Sequence, residues 1–301
     1  KPVIHQLDIG SIRLRGVFLQ PALSFMGATA RNLGLAQEID LMFDAVKDVQ
    51  FKPGQMVLVY EWRSDVSGKI VEKGRSILIS DQDRERLLAY NNEIARTSGQ
   101  INGKTASLAA FTAPVFNLAQ QRSRDNDDPV AENRAAILAL TMFINGRTVK
   151  TLVGSKAGQE LRRPEQIKIT LRGRTDLPKH FMISAALVAL AESRLSNVVG
   201  LFKELADSVG GSGFSFIDLL ADRAGVRFAE MSTASGEKAL RVQRKMGGSA
   251  GEALFMPTIA DLNEGMMQKT FKQRYRDVDS AAYRAEKQEI ERRIDACALY
   301  R

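Results

Sequence analysis

The chain has 301 residues, 44% hydrophobic and 26% charged, with a net charge of +8 and a pI near 9.6. This balance excludes disordered and collagen-like classes, and with no run of about 18 apolar residues no membrane-spanning helix is expected within it. The single cysteine, Cys297, excludes an intrachain disulfide and a cysteine-rich zinc site.

The predicted elements start with "SIRLRGVFLQ" (11–20), which alternates apolar and polar side chains as a half-buried strand does. "SFMGATARNLGLAQEIDLMFDAV" (24–46) has helical spacing. Lys52-Pro53-Gly54 is a turn signal, after which Met56, Leu58, Tyr60 and Trp62 fall on one face of a strand. Residues 1–79 are thus expected to form a small strand–helix–strand unit.

From residue 80 onward the spacing is helical almost throughout. Ser80 and Asp83 read as a capping box. Helices are predicted over 105–121 and 129–149, separated by a charged loop at 122–129 whose Pro129 suits a first helical turn. One strand is expected at 166–173. Three helices follow at 178–193, 196–208 and 216–230, and a glycine-rich mobile connection at 236–253. An amphipathic helix closes the chain. The predicted fold is α+β and mostly helical, with a helical part over 80–301 that contains a three-helix motif at 179–230.

The stretch "VGGSGFSFIDLLADRAGVRF" (209–228) carries the candidate chemistry. Ser215 and Asp218 satisfy a capping box approximately, Phe214 and Leu219 form a staple, and the glycines suit a helix end. It lacks the Gly-Lys-Ser/Thr ending of a phosphate-binding P-loop. Those rules leave Asp222 unexplained, because it lies four residues after Asp218, where like charges repel. Glu204 and Asp207 repeat the oddity in the preceding helix, beside Lys203. His180, one of only two histidines, starts the first helix with Ser184 four residues on. Short connections between the three helices predict that His180, Glu204, Asp207, Asp218 and Asp222 meet at one end of the unit. One imidazole with carboxylates can work as an acid–base pair or bind a metal; a His-rich zinc centre is excluded, and no cofactor is implied. The alternative is a structural network in which Lys203 and Arg223 neutralise the acids.

At these residues, "KHFMISAALVAL…VGLFKELADSVGGSGFSFIDLLADRAG" (179–225) resembles a family of predicted bacterial lipoproteins of unknown function. More distantly it is similar to VanZ-like proteins, which share the His-Phe start, the helical Glu and the Asp-x-x-x-Asp/Asn-x-x-Gly ending. The resemblance maps His180, Lys203, Glu204, Asp207, Asp218, Asp222 and Gly225 onto that motif. The wider sequence, including "DPVAENRAAILALTMFINGR" (128–147) and "KQEIERRIDACALY" (287–300), resembles uncharacterised proteobacterial envelope proteins, which implies a periplasmic protein held to the inner membrane by an N-terminal anchor ahead of Lys1. The resemblance carries no reaction with it.

Three functional expectations follow. The first is a non-enzymatic envelope module that binds or scaffolds a partner. The second is a hydrolase or lytic enzyme acting on an envelope polymer through the His/Glu/Asp cluster. The third, nucleic-acid binding, rests on the pI alone. The diffuse positive charge fits an anionic polymer or lipid surface as partner.

Overall fold

The structure is a computed structural model that describes residues 79–153, 161–191, 214–248 and 251–301, together with four N-terminal strands. The chain divides into two compact units, Lys1–Ile77 and Leu78–Arg301. In the first, β1 (Gln6–Ile9) pairs antiparallel with β2 (Ile12–Arg15), and β3 (Val46–Lys52) with β4 (Gln55–Tyr60). The second hairpin closes at Lys52↔Gln55 and carries a register shift between Val46 and Asp48. The expected strand 11–20 has its described part in β2. The expected helix over 24–46 lies outside the described residues except for its last position, Val46, which opens β3.

The second unit is mostly helical. It runs α1 (Asp81–Ser98), β5 (Thr105–Ser107), α2 (Leu108–Asn126), α3 (Pro129–Ile144), α4 (Lys150–Val153) and β6 (Lys168–Thr170). It continues with α5 (Leu177–Ala191), α6 (Phe216–Thr233), α7 (Gly236–Gly247), α8 (Gln268–Tyr275) and α9 (Ala281–Asp295). The centre is α3, whose Ala135–Leu140 segment is buried on every side. A helix apolar all round must be enclosed, and α1, α2, α5, α6 and α7 all pack against it. β5 and β6 form a short parallel pair, Thr105↔Lys168 to Ser107↔Thr170.

One end of α3 carries a buried ionic knot. Glu132, fully buried, accepts from Arg86 Nε (3.1 Å), Arg122 Nε (2.9 Å), Asn126 Nδ2 (2.5 Å) and the Tyr90 hydroxyl. Burial alone would raise its pKa, but the hydrogen bonds from Tyr90 and Arg122 hold the carboxyl below the ordinary range.

Several expectations need correction. The helix expected from 105 starts at Leu108, after strand β5, and the helix expected over 129–149 ends at Ile144. Residues 236–247 are a helix, not a mobile connection. Glycines at both ends hid the pattern, yet Ala239, Val242 and Met246 fall on one buried face and Ser235 caps the first turn. Gln243 on that face is buried, and its Nε2 donates toward Ser123 Oγ (2.9 Å), Pro129 O (3.3 Å) and Asn133 Oδ1 (2.9 Å), while its Oε1 has no hydrogen-bond partner among the described residues. The 122–129 loop is shorter than expected: α2 runs to Asn126, because one face of the charged run is used inward through Arg122 and Ser123, and Asp127 turns the chain at φ 53°. The 166–173 strand shrinks to three residues, since a turn with Arg172 and Gly173 at positive φ reverses the chain.

Candidate functional site

The site is built on α5 and α6, and a glycine sets their separation. A Cβ placed on Gly225 would lie 2.1 Å from the Phe181 carbonyl oxygen, so the two backbones touch there. Gly225 is nearly one turn beyond Asp222, and Phe181 follows His180. The contact therefore puts the imidazole opposite the carboxylate.

His180 Nδ1 lies 3.2 Å from Asp222 Oδ1, and Ser184 Oγ donates to the same oxygen at 2.9 Å. A carboxylate only accepts, so Nδ1 is the ring nitrogen that carries the proton. His180 Nε2 then faces Asp218 Oδ2 at 3.8 Å, beyond hydrogen-bond reach. The His180 and Asp218 side chains are largely buried, at 16% and 21% exposure, while Asp222 is 40% exposed.

Local sequence holds each group. Ser215 caps α6, accepting from the Asp218 N–H at 3.1 Å, so half of the expected capping box forms. Ahead of it, Phe214 pairs with Met266 in both directions (3.0 and 2.8 Å) and Phe216 N–H donates to Asn263 O. Phe214, Phe216, Phe271, Tyr275 and Tyr283 stack around this point with ring centroids 4.8–6.3 Å apart. The first turn of α6 is thereby fixed, and Asp218 Oδ1 is left buried with no hydrogen-bond partner among the described residues.

The electrostatics follow from these contacts. The Asp222 hydrogen bond, with the charges of Asp222, Asp218 and Asp176 behind it, raises the His180 pKa above its usual 6.5 against the opposing effect of burial. Burial raises the Asp218 pKa, and the nearby His180 only partly offsets it. Two adjacent groups are thus both biased toward holding a proton.

Arg174 and Asp176 form a supporting layer that the sequence reading missed. Arg174 grips Asp176 through Nε (3.1 Å) and Nη2 (2.6 Å) and reaches Glu264 with Nη1. Asp176 also accepts from the Leu177 N–H at 3.0 Å, and the Arg174 bond keeps its pKa low. The signal was present in "DLPKH": an acid just before a helix start with proline in the first turn.

Of the five candidate residues, His180, Asp218 and Asp222 come together, while Glu204 and Asp207 lie outside the described residues, as does Lys203. Among the described residues Arg223 is paired with Glu291, its Nε lying 2.5 Å from Oε1, and not with Asp218 or Asp222. Arg223 points toward α9 because it is one residue past Asp222, about 100° round the helix. Among the described residues no group of three or more His, Cys, Asp or Glu side chains is arranged to hold a metal ion, and no helix is long and apolar enough to cross a membrane. Compared with known proteins, the chain matches no family model, no curated protein and no solved structure.

Proposed function

We propose that the protein is a periplasmic, membrane-tethered envelope protein that performs acid–base chemistry on an envelope polymer at the His180–Asp218–Asp222 cluster. One observation carries this reading: Asp222 holds His180 by Nδ1, leaving Nε2 directed at a second carboxyl, that of Asp218, 3.8 Å away and raised in pKa by burial. In that arrangement Asp222 orients the imidazole, and His180 Nε2 takes a proton from water or a substrate hydroxyl and passes it to the leaving group, beside the Asp218 carboxyl. The envelope placement rests on the resemblance of 179–225 and the basic surface. The strand–helix–strand reading of residues 1–79 belongs to the same proposal, with the two hairpins contributing its strands.

The test is release of soluble fragments from purified peptidoglycan sacculi. The chain is expected to release them, and His180→Asn and Asp222→Asn to abolish release while both variants stay folded by circular dichroism. No release by the parent chain, or full activity in both variants, would reject the catalytic reading. Compartment-specific reporter fusions to the full-length gene check the location; activity only in the cytoplasm rejects it.

A second reading, a binding or scaffolding module without catalysis, is favoured by Ser184. Its hydroxyl donates to Asp222 rather than to His180, so the described site contains no activated nucleophile. Sacculi retained by the chain but left intact would select this reading.

A further inference from the structure

We propose that α8 and the turns flanking it form a contact for an anionic lipid surface. α8 is pinned from below: the Phe271 ring lies 4.8 Å from Phe214, and Tyr275, 2% exposed, lies 5.3 Å from Phe216. Its outer positions are therefore held on a rigid base.

Those positions are basic. Lys269, Lys272 and Arg276 are exposed along α8 and its end, and Arg284 and Lys287 are exposed on the first turns of α9. None of the five has an ion-pair partner among the described residues. The sixth cation, Arg274, is already engaged by Glu286 at 3.8 Å and lies over the Tyr275 ring. Only Asp277 and Asp279 oppose the five from the same exposed stretch.

Charge alone fits any polyanion. What favours lipid is the placement of Met267, 71% exposed, and Val278, 55% exposed, the large hydrophobic side chains left most open to solvent among the described residues. Met267 immediately precedes α8 and Val278 follows three residues after its end. Single exposed apolar residues are ordinary, but two bracketing a helix about 12 Å long, with lysines between them, match an interfacial contact. There the cations meet head groups while the apolar tips reach the acyl boundary. A soluble polyanion offers those tips nothing.

The experiment is co-sedimentation of the 301-residue chain with vesicles of mixed phosphatidylglycerol and phosphatidylcholine, against phosphatidylcholine alone. Binding is expected only to the anionic vesicles, and to weaken with salt. Each basic side chain at such a surface contributes about fivefold, so Lys269→Gln/Lys272→Gln is expected to weaken binding by about 25-fold. Met267→Ser/Val278→Ser should weaken it several-fold, and Lys238→Gln/Arg244→Gln on α7 should leave it unchanged. Equal binding to neutral vesicles, or equal loss from the α7 pair, overturns the assignment to this surface. Insensitivity to Met267→Ser/Val278→Ser overturns the assignment to lipid and leaves a polyanion patch. Sacculus cleavage by the same variants is expected to be unchanged, which separates this result from the fate of the His180 site.

Discussion

Replacing Gly225 with alanine tests the packing and the site together. The added Cβ would stand 2.1 Å from the Phe181 carbonyl oxygen and 2.9 Å from its carbon, where Cβ atoms hardly ever come within 3.0 Å. Both contacts are backbone, so no side-chain rotation relieves them. The two helices must separate by about 1 Å, loosening Phe181 from Phe228 and Phe255, rings now 5.4–5.5 Å away. Overpacking of this kind costs about 1–3 kcal/mol, and the opposing gain in helix propensity is about 0.5–1 kcal/mol. A net loss of about 1–2 kcal/mol is expected in urea unfolding followed by circular dichroism. The same separation lengthens the 3.2 Å His180–Asp222 bond, so the imidazole pKa measured by NMR should fall. Gly247 is the control: a Cβ there meets chiefly the end of the Asn117 side chain, at 2.5 Å, which can swing away. Gly247→Ala should therefore cost clearly less. If Gly225→Ala were as stable as the parent with an unshifted His180, the close approach would not be what positions the site.

In the parent chain, NMR titration should place His180 above 6.5, and Asp222→Asn should bring it down, since the charged acceptor at Nδ1 is removed while burial still opposes the imidazolium. A raised folded pKa means the stability His180 adds is complete below about 6.5 and lost as pH rises through the folded value, so urea midpoints should decline over that window and be flatter in Asp222→Asn. Asp218 has the same sign at lower pH: its added stability is present only in acid, and at neutral pH its buried, unpartnered oxygen is a cost. Asp218→Asn should leave stability unchanged or raise it by about 1 kcal/mol at a pH where His180 is neutral, as read by thermal melts. Glu132→Ala takes the shared acceptor from Arg86, Arg122, Tyr90 and Asn126 and leaves a buried void, while Asp83 and Glu85 still pair with the two cations, and should cost about 3 kcal/mol in the same unfolding assay.

The residue pattern alone determined a good deal. Capping at Ser80 and Ser215, the helical periods of α1, α3, α5, α6 and α9, and the mostly helical class were legible because caps and apolar spacing act within one or two turns. The oddity of two aspartates four apart on one helix was legible for the same reason. What neighbours supply was not. α7 is hidden by its own glycines, and the partners of its buried Gln243 Nε2 come from Ser123, Pro129 and Asn133, more than 100 residues away. Nothing near Glu132 in sequence announces that Arg86 and Tyr90, more than 40 residues away, will enclose it. Likewise the pairing of His180 with Asp222, and of Arg223 with Glu291 instead of an aspartate beside it, depends on which face of α6 meets α5 and which meets α9. That choice is made by the backbone contact at Gly225, a distance between helices that no local pattern encodes.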